Sequence, residues 1–186
     1  MRKEKRRRKA AFSLPMSDQA RNAQPKQLTR HSANDSSPRW SPDASTIYFL
    51  STRSGSSQVW RLRLAGGEAT QVTNYPIDVG SFKVAPGGDR LALSMEVFPD
   101  CADLKCTGTR LEQRKNSKQT GKVFDRTFIR HWDAWMEGPR SHLFVATISS
   151  DGTASQPVDL SQPLDADIPS QPFGGDEEYT FSPDGR

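Results

Sequence analysis

The feature that most constrains this chain is a turn that occurs three times. Trp40-Ser41-Pro42-Asp43-Ala44, Val84-Ala85-Pro86-Gly87-Gly88 and Phe181-Ser182-Pro183-Asp184-Gly185 share one order: a large apolar residue, a small one, proline, then a turn pair. Proline pre-sets the backbone for the first turn position, and Asp or Gly suits the positions after it. Strand-like runs follow the first two copies, Thr46-Ile47-Tyr48-Phe49-Leu50-Ser51 and Leu91-Ala92-Leu93-Ser94-Met95. A second pair of segments recurs farther on. Ser57-Gln58-Val59-Trp60-Arg61-Leu62-Arg63-Leu64 aligns with Ser141-His142-Leu143-Phe144-Val145-Ala146-Thr147-Ile148, and the first copy alternates as a strand with unequal faces does. Each is followed by a turn, Ala65-Gly66-Gly67-Glu68 or Ser149-Ser150-Asp151-Gly152, and by a closing run, Ala69 to Thr73 or Pro157 to Leu160.

The unit is therefore four short antiparallel strands, A before the Pro turn, then B, C and D. The spacing identifies it as a propeller blade. Pro42 and Pro86 lie 44 residues apart, close to the ~40–50 residues of such repeats. Pro86 and Pro183 lie 97 apart, and the excess falls mainly between strands B and C of the second blade. The expected fold is all-β, a partial β-propeller of four-stranded antiparallel blades, incomplete at both ends. Closure takes typically 4–8 blades, and a small stand-alone β domain is the alternative. Residues 1–23 read as a basic tail and 24–186 as propeller: a blade end at 24–30, a blade at 36–73, an inserted blade at 79–160 and the start of the next at 179–186. The insertion covers about 98–140 and reads as loose, partly helical or irregular. An open blade array exposes strand edges and inter-blade faces, an aggregation hazard in which Trp40, Phe49, Trp60, Phe82 and Phe144 lack neighbours that closure would supply.

Charge separates the tail from the rest. Of a formal net charge of +4, the segment Arg2 to Lys9 holds seven Lys or Arg and one Glu, leaving the remainder slightly acidic. Such a run binds nucleic acid or anionic lipid in some proteins, or serves as a targeting signal, and is a solvated disordered terminus in most. The reading adopted is the last, with neither nucleic acid nor membrane as a partner. The apolar stretch after it, Ala10 to Met16, is short and broken by Ser13 and Pro15, a poor secretory signal.

Chemistry-bearing residues are few. Cys101 and Cys106 sit inside the insertion and form either a local disulfide in an oxidising compartment or free thiols in a reducing one. Without a second Cys or His pair beside them they do not fill the four positions of a zinc site. The stretch Phe124 to Trp135 concentrates aromatic and ionic groups, and Arg130, His131, Trp132 and Trp135 are candidates for lining a binding cavity, with simple packing of the insertion as the alternative. Glu177 and Glu178 follow the Pro172-Phe173-Gly174-Gly175 loop and either capture a positive group such as a peptide amino terminus or stand in solvent. No Gly-x-Ser-x-Gly elbow and no phosphate-cradling Gly loop occurs. No catalytic residue, metal ligand or cofactor is assigned, and the chain by itself is expected to be inactive.

The run Ser37-Pro38-Arg39-Trp40-Ser41-Pro42-Asp43, with Ile47 to Arg53, Gln58-Val59-Trp60, Gly66-Gly67-Glu68 and Gln71-Val72-Thr73, resembles a propeller blade of the prolyl oligopeptidase family of serine peptidases. The likeness is strongest to bacterial dipeptidyl-aminopeptidase and acylaminoacyl-peptidase types. The segments Ser94 to Cys101, Arg130 to Trp135 and Pro172 to Tyr179 carry it further than the Pro turns do. This resemblance implies a propeller that caps a C-terminal α/β-hydrolase domain bearing Ser, Asp and His, and that admits short peptides while excluding folded proteins. Some members hold the substrate's free amino group with propeller carboxylates. The implied role is a gating and substrate-recognition segment of a serine exopeptidase that removes dipeptides or acylated residues from peptide N-termini, with peptide substrates as partners, the hydrolase domain lying outside this sequence, and the parent periplasmic or secreted. The alternative is a non-enzymatic propeller that binds proteins. The oligomeric state is open.

Overall fold

The computed structural model describes residues 27–121, 130–131, 134–135 and 138–185. Strands β1 (Asp35–Trp40), β2 (Thr46–Ser51), β3 (Gln58–Arg63) and β4 (Thr70–Gln71) form one antiparallel sheet in that order. Strands β5 (Ser81–Val84), β6 (Arg90–Val97), β9 (Arg140–Thr147) and β10 (Val158–Asp159) form the second, again in chain order across the sheet. Helix α1 (Leu104–Asn116) and the two-stranded ribbon β7 (Arg130–His131) and β8 (Ala134–Trp135) lie between β6 and β9. Each four-stranded sheet is one blade.

The three Pro turns share a geometry. Ala44 N donates to Ser41 O, Gly88 N to Ala85 O and Gly185 N to Ser182 O, at 2.9, 2.9 and 2.8 Å. The last residue of each turn has positive φ: +55° at Ala44, +73° at Gly88 and +78° at Gly185. Only the first copy places a Cβ in this left-handed region, which disfavours all residues but glycine. The side chains repeat too. Ser41 Oγ donates to Asp43, as Ser182 Oγ does to Asp184. With Ser45 added, these hydroxyls draw the Asp43 carboxyl down to about 2.

The blades pack through the expected alternation. Leu50 pairs with Val59 and Leu93 with Phe144. Tyr48, Leu50 and Val59 of the first blade meet Phe82, Leu91, Leu93, Met95 and Phe144 of the second in one apolar cluster. On the opposite face of the first blade, Phe49 faces Trp60 across the strands, and the Arg53 guanidinium lies 5.2 and 5.0 Å from their ring centres. That guanidinium also bonds both carboxylate oxygens of Asp35 at 2.8 Å. Burial pushes the Asp35 carboxyl up, but hydrogen bonds from Ser51, Arg53 and Thr29 outweigh it and hold the group below the ordinary carboxylate range. Phe49, Phe82 and Phe144 are buried, while Trp40 is 40% exposed.

Polar side chains on strand C lock each blade to the chain that leaves it. Gln58 is fully buried: its Nε2 donates to Tyr75 O and Ile77 O at 3.2 and 2.9 Å, and its Oε1 accepts from Thr73 Oγ1 and Tyr75 N at 2.8 and 3.1 Å. His142 is its counterpart in the second blade. Its Nε2 lies 3.0 Å from Leu164 O and its Nδ1 2.8 Å from Asp159 Oδ2, both hydrogen-bond acceptors. The preceding serines match as well. Ser57 N donates to Asp78 Oδ1 and Ser141 N to Asp167 Oδ1, at 2.7 and 2.9 Å. In return Val79 N donates to Ser57 O and Ile168 N to Ser141 O.

Three expectations are corrected. The closing strands are shorter than 69–73 and 157–160, because a side chain takes over the ladder: Thr73 Oγ1 accepts from Val59 N at 2.8 Å and Ser161 Oγ from Leu143 N at 3.1 Å. Residues 27–30, expected as the end of a blade, form no strand, and residues 24–26 lie outside the described residues. Residues 179–185 make the Pro turn but no strand, since no B strand stands beside them among the described residues. Tyr179 nevertheless packs on the second blade, its hydroxyl 2.9 Å from Ser81 Oγ and its ring 5.5 Å from Lys83 Nζ.

Two outcomes test this account. Gln58→Leu keeps the volume but strands the backbone groups of Tyr75 and Ile77, and should cost about 3 kcal/mol in urea unfolding; a loss under about 1 kcal/mol would show that the amide is not the anchor. Ala44→Gly removes the left-handed Cβ and should stabilise by roughly 0.5–1 kcal/mol; any destabilisation would refute the turn geometry.

Candidate functional site

Two segments depart from the blade repeat, and a cleft forms where they face each other. The first is the insertion between β6 and β9. The second is visible once the connectors are aligned: Pro86 comes 7 positions after Val79, but Pro183 comes 15 positions after Ile168. The additional residues form a loop over 169–178. The cleft measures about 460 Å³, within the ~300–1,000 Å³ usual for small-molecule sites. Leu111 of α1 stands on one side, and Pro169, Gln171, Gly174 and Gly175 of the loop on the other. Ile77, Asp78 and Glu96 contribute from the blades beneath, and no Lys or Arg lines it among the described residues.

Helix α1 forms because Asp103 caps it, its carboxylate accepting from Cys106 N at 2.7 Å, and because Arg114 and Lys115 sit in the last turn where the helix dipole favours cations. Thr107 is its buried residue, and its Oγ1 accepts from Phe98 N at 3.3 Å. At Gly108 the helix touches the connector so closely that a Cβ would stand 3.1 Å from Pro76 O. Arg110 and Arg114 hold the Phe98 ring at 4.4 and 4.6 Å, and Arg110 forms a two-pronged bond to Asp100. Cys101 and Cys106 are joined as a disulfide that ties the preceding loop to the first turn.

The loop is fixed at its end. Glu178 accepts from Ser170 N and Ser170 Oγ at 2.7 and 2.6 Å, and these two bonds hold its carboxyl below the ordinary range. Asp176 pairs with Arg39 of β1 at 2.5 Å. Residues 176–178 form a single 3-10 turn, so the paired glutamates differ in role: Glu178 closes the loop, and Glu177 is exposed, its carboxylate turned back over Gly175. Gly174 admits no side chain, since a Cβ there would lie 2.4 Å from Ser170 O.

Glu96 was not singled out by the sequence reading. It is the exposed residue in an otherwise buried stretch of β6, and its Oε1 accepts from Gln171 Nε2 at 3.3 Å. The interrupted pattern Ser94-Met95-Glu96-Val97 was the available signal. Of the candidates in the insertion, Arg130, His131 and Trp135 belong to the β7–β8 ribbon, where Arg130 pairs with Trp135. Trp132 lies outside the described residues. His142 is structural, as shown above. Among the described residues no group of three or more metal-binding side chains converges, and no helix is long and apolar enough to cross a membrane.

The Glu178 bond has a direct check. Ser170→Ala removes one of its two donors, so the carboxyl pKa should rise toward the ordinary glutamate range in a carbon-detected NMR titration. An unchanged pKa would show that the loop is not closed this way.

Residues 16–105 match the family model for the TolB beta propeller domain, PD40. The chain is 26% identical over 162 residues to dipeptidyl-peptidase 5 of Porphyromonas endodontalis, covering 87% of this chain and 22% of that protein. It is 24% identical over 170 residues to dipeptidyl-peptidase 5 of Porphyromonas gingivalis, with the same coverage of each, 87% and 22%. Among solved structures, the acylaminoacyl peptidase of Pyrococcus horikoshii aligns with a TM-score of 0.44 and 16% identity, over 67% of this chain and 17% of that one. The chain thus spans under a quarter of the length of these relatives. It is a partial β-propeller, similar over residues 16–105 to the TolB beta propeller domain, and it resembles the propeller segment of dipeptidyl peptidases.

Proposed function

We propose that this chain is the substrate-recognition and gating segment of a serine exopeptidase of the prolyl oligopeptidase type, acting on peptide N-termini in a periplasmic or secreted protein. The observation that carries this reading is the cleft between the two insertions, with Glu96 in its lining, Glu177 exposed beside Gly175, and no basic residue in the lining among the described residues. A carboxylate attracts an ammonium group and repels anions. A peptide's free N-terminus has that charge, and an acylated one does not. The cleft therefore favours release of dipeptides over release of acylated residues. Both dipeptidyl-peptidase 5 relatives are named for that class of reaction.

The chemistry would belong to an α/β-hydrolase domain supplying Ser, Asp and His, and this segment would hold the amino end of the peptide so that the bond to be cut reaches the nucleophile. Gating follows from size. A cleft of about 460 Å³ accommodates the end of an extended chain, and a folded domain cannot enter.

Calorimetric titration of the purified chain tests this with one tripeptide, Leu-Ala-Ala, and its N-acetyl form. Acetylation should weaken binding by about 10- to 100-fold, the worth of a charge-assisted hydrogen bond, and Glu96→Gln should erase most of the difference. Equal affinity for both peptides would overturn the reading in favour of a propeller that binds proteins without regard to their ends.

A further inference from the structure

We propose that Leu111 of helix α1 sets the side-chain class of the substrate's N-terminal residue, making the cleft a subsite for an apolar residue whose ammonium group sits on Glu96. This rests on the reading of the cleft as a peptide N-terminus site.

The argument begins with how firmly Leu111 is held. Thr107 and Leu111 are four residues apart and lie on one face of the helix. Thr107 is buried and bonded to Phe98 N, Gly108 is pressed against Pro76, and Arg110 is fixed to Asp100. These contacts leave the helix little freedom to turn. Leu111 is consequently directed inward, half-buried, with part of its side chain against the apolar core and part lining the cleft. A helix with so few inward apolar residues has no need to leave one of them partly open for packing alone.

The opposite wall carries no competing side chain at Gly174 and Gly175, and the close approach at Gly174 bars one from being added there. Ile77 beneath is nearly fully buried and extends the apolar surface begun by Leu111. The cleft thus pairs an apolar side with a carboxylate. The N-terminal residue of a peptide has the matching arrangement, a side chain and an ammonium group on one carbon. A lysine there would set a second charge against Leu111, while the Asp78 carboxylate in the same lining already accepts from Ser57 N, so burying that charge costs free energy. An aspartate would face Glu96 and Glu177.

Tripeptides X-Ala-Ala with X as Leu, Lys or Asp, each with a free amino end and each compared with its acetylated form, test the proposal by titration. The wild-type chain should bind the Leu peptide about tenfold more tightly than either charged one. Leu111→Ala should reduce that preference to near unity while acetylation still blocks binding, and Leu111→Asp should shift the preference to Lys. Urea unfolding of both variants shows whether the fold is retained, and Leu111→Met serves as a conservative control with the wild-type order. An unchanged order of Leu, Lys and Asp in folded Leu111→Ala, with acetylation still blocking, overturns the subsite while leaving the proposed function standing. Binding indifferent to acetylation overturns the proposed function and the subsite with it.

Discussion

The structure depends on one buried polar side chain per blade, at the aligned strand C positions Gln58 and His142. Apolar packing brings two sheets together but fixes register poorly, because a slide of one sheet over the other exchanges one methyl contact for another. A fully buried amide has no such latitude. Gln58 engages the backbone of Tyr75 and Ile77 and the Thr73 hydroxyl, and every shift of the connector would leave a buried group without its partner. His142 performs the same service with different chemistry, holding Asp159 and Leu164. The connector so fixed determines where the next inner strand begins. The inter-blade bonds then follow: Ala154 N donates to Val72 O at 2.7 Å, and Tyr75 Oη to Ser155 O at 2.8 Å.

A repeat anchored in this way can carry insertions cheaply, because neither blade relies on the inserted residues for its own register. The cost of closing a longer loop grows only slowly with length. Helix α1 and the 169–178 loop both exploit this freedom, and both leave from strongly held points, β6 on one side and Ile168 on the other. The cleft between them is therefore positioned by rigid scaffold while its lining is free to vary.

Much of the fold was legible in the sequence because turn chemistry and strand alternation are local. The Pro turns, the B and C strands and the place of the long insertion could be read from residue type and spacing. The anchors could not. Gln58 and His142 differ in chemistry, and the partners that anchor them lie 15 to 22 residues away, so nothing local marks them as equivalent. Asp78 and Asp167 were hidden for a related reason, since the extra residues after Ile168 break the spacing that would have aligned them. The short closing strands were misjudged because a hydroxyl, from Thr73 or Ser161, replaces a backbone group in the ladder. Of the candidate site, the glutamate pair was legible as a pair, but only the fold separates Glu178, bonded to Ser170, from Glu177. Glu96 was missed because one charged residue on a strand is ordinary until the cleft beside it is seen.

The division between Glu177 and Glu178 bears on how such a site could work. A carboxylate that already accepts two hydrogen bonds from its own loop has less to offer a ligand than one that accepts none from it. Glu178 therefore contributes order, and through Gly174 and Gly175 it keeps the loop backbone close to the cleft. Asp176 adds to that order by pairing with Arg39 of the preceding blade. The loop is thus closed on itself by Glu178 and tied by Asp176 to β1, which does not line the cleft, and in the proposed function Glu177 and Glu96 would meet the cation. In the proposed function, ordering carboxylates beside the binding ones would limit the reorganisation that binding requires, since the loop is already held before a ligand arrives.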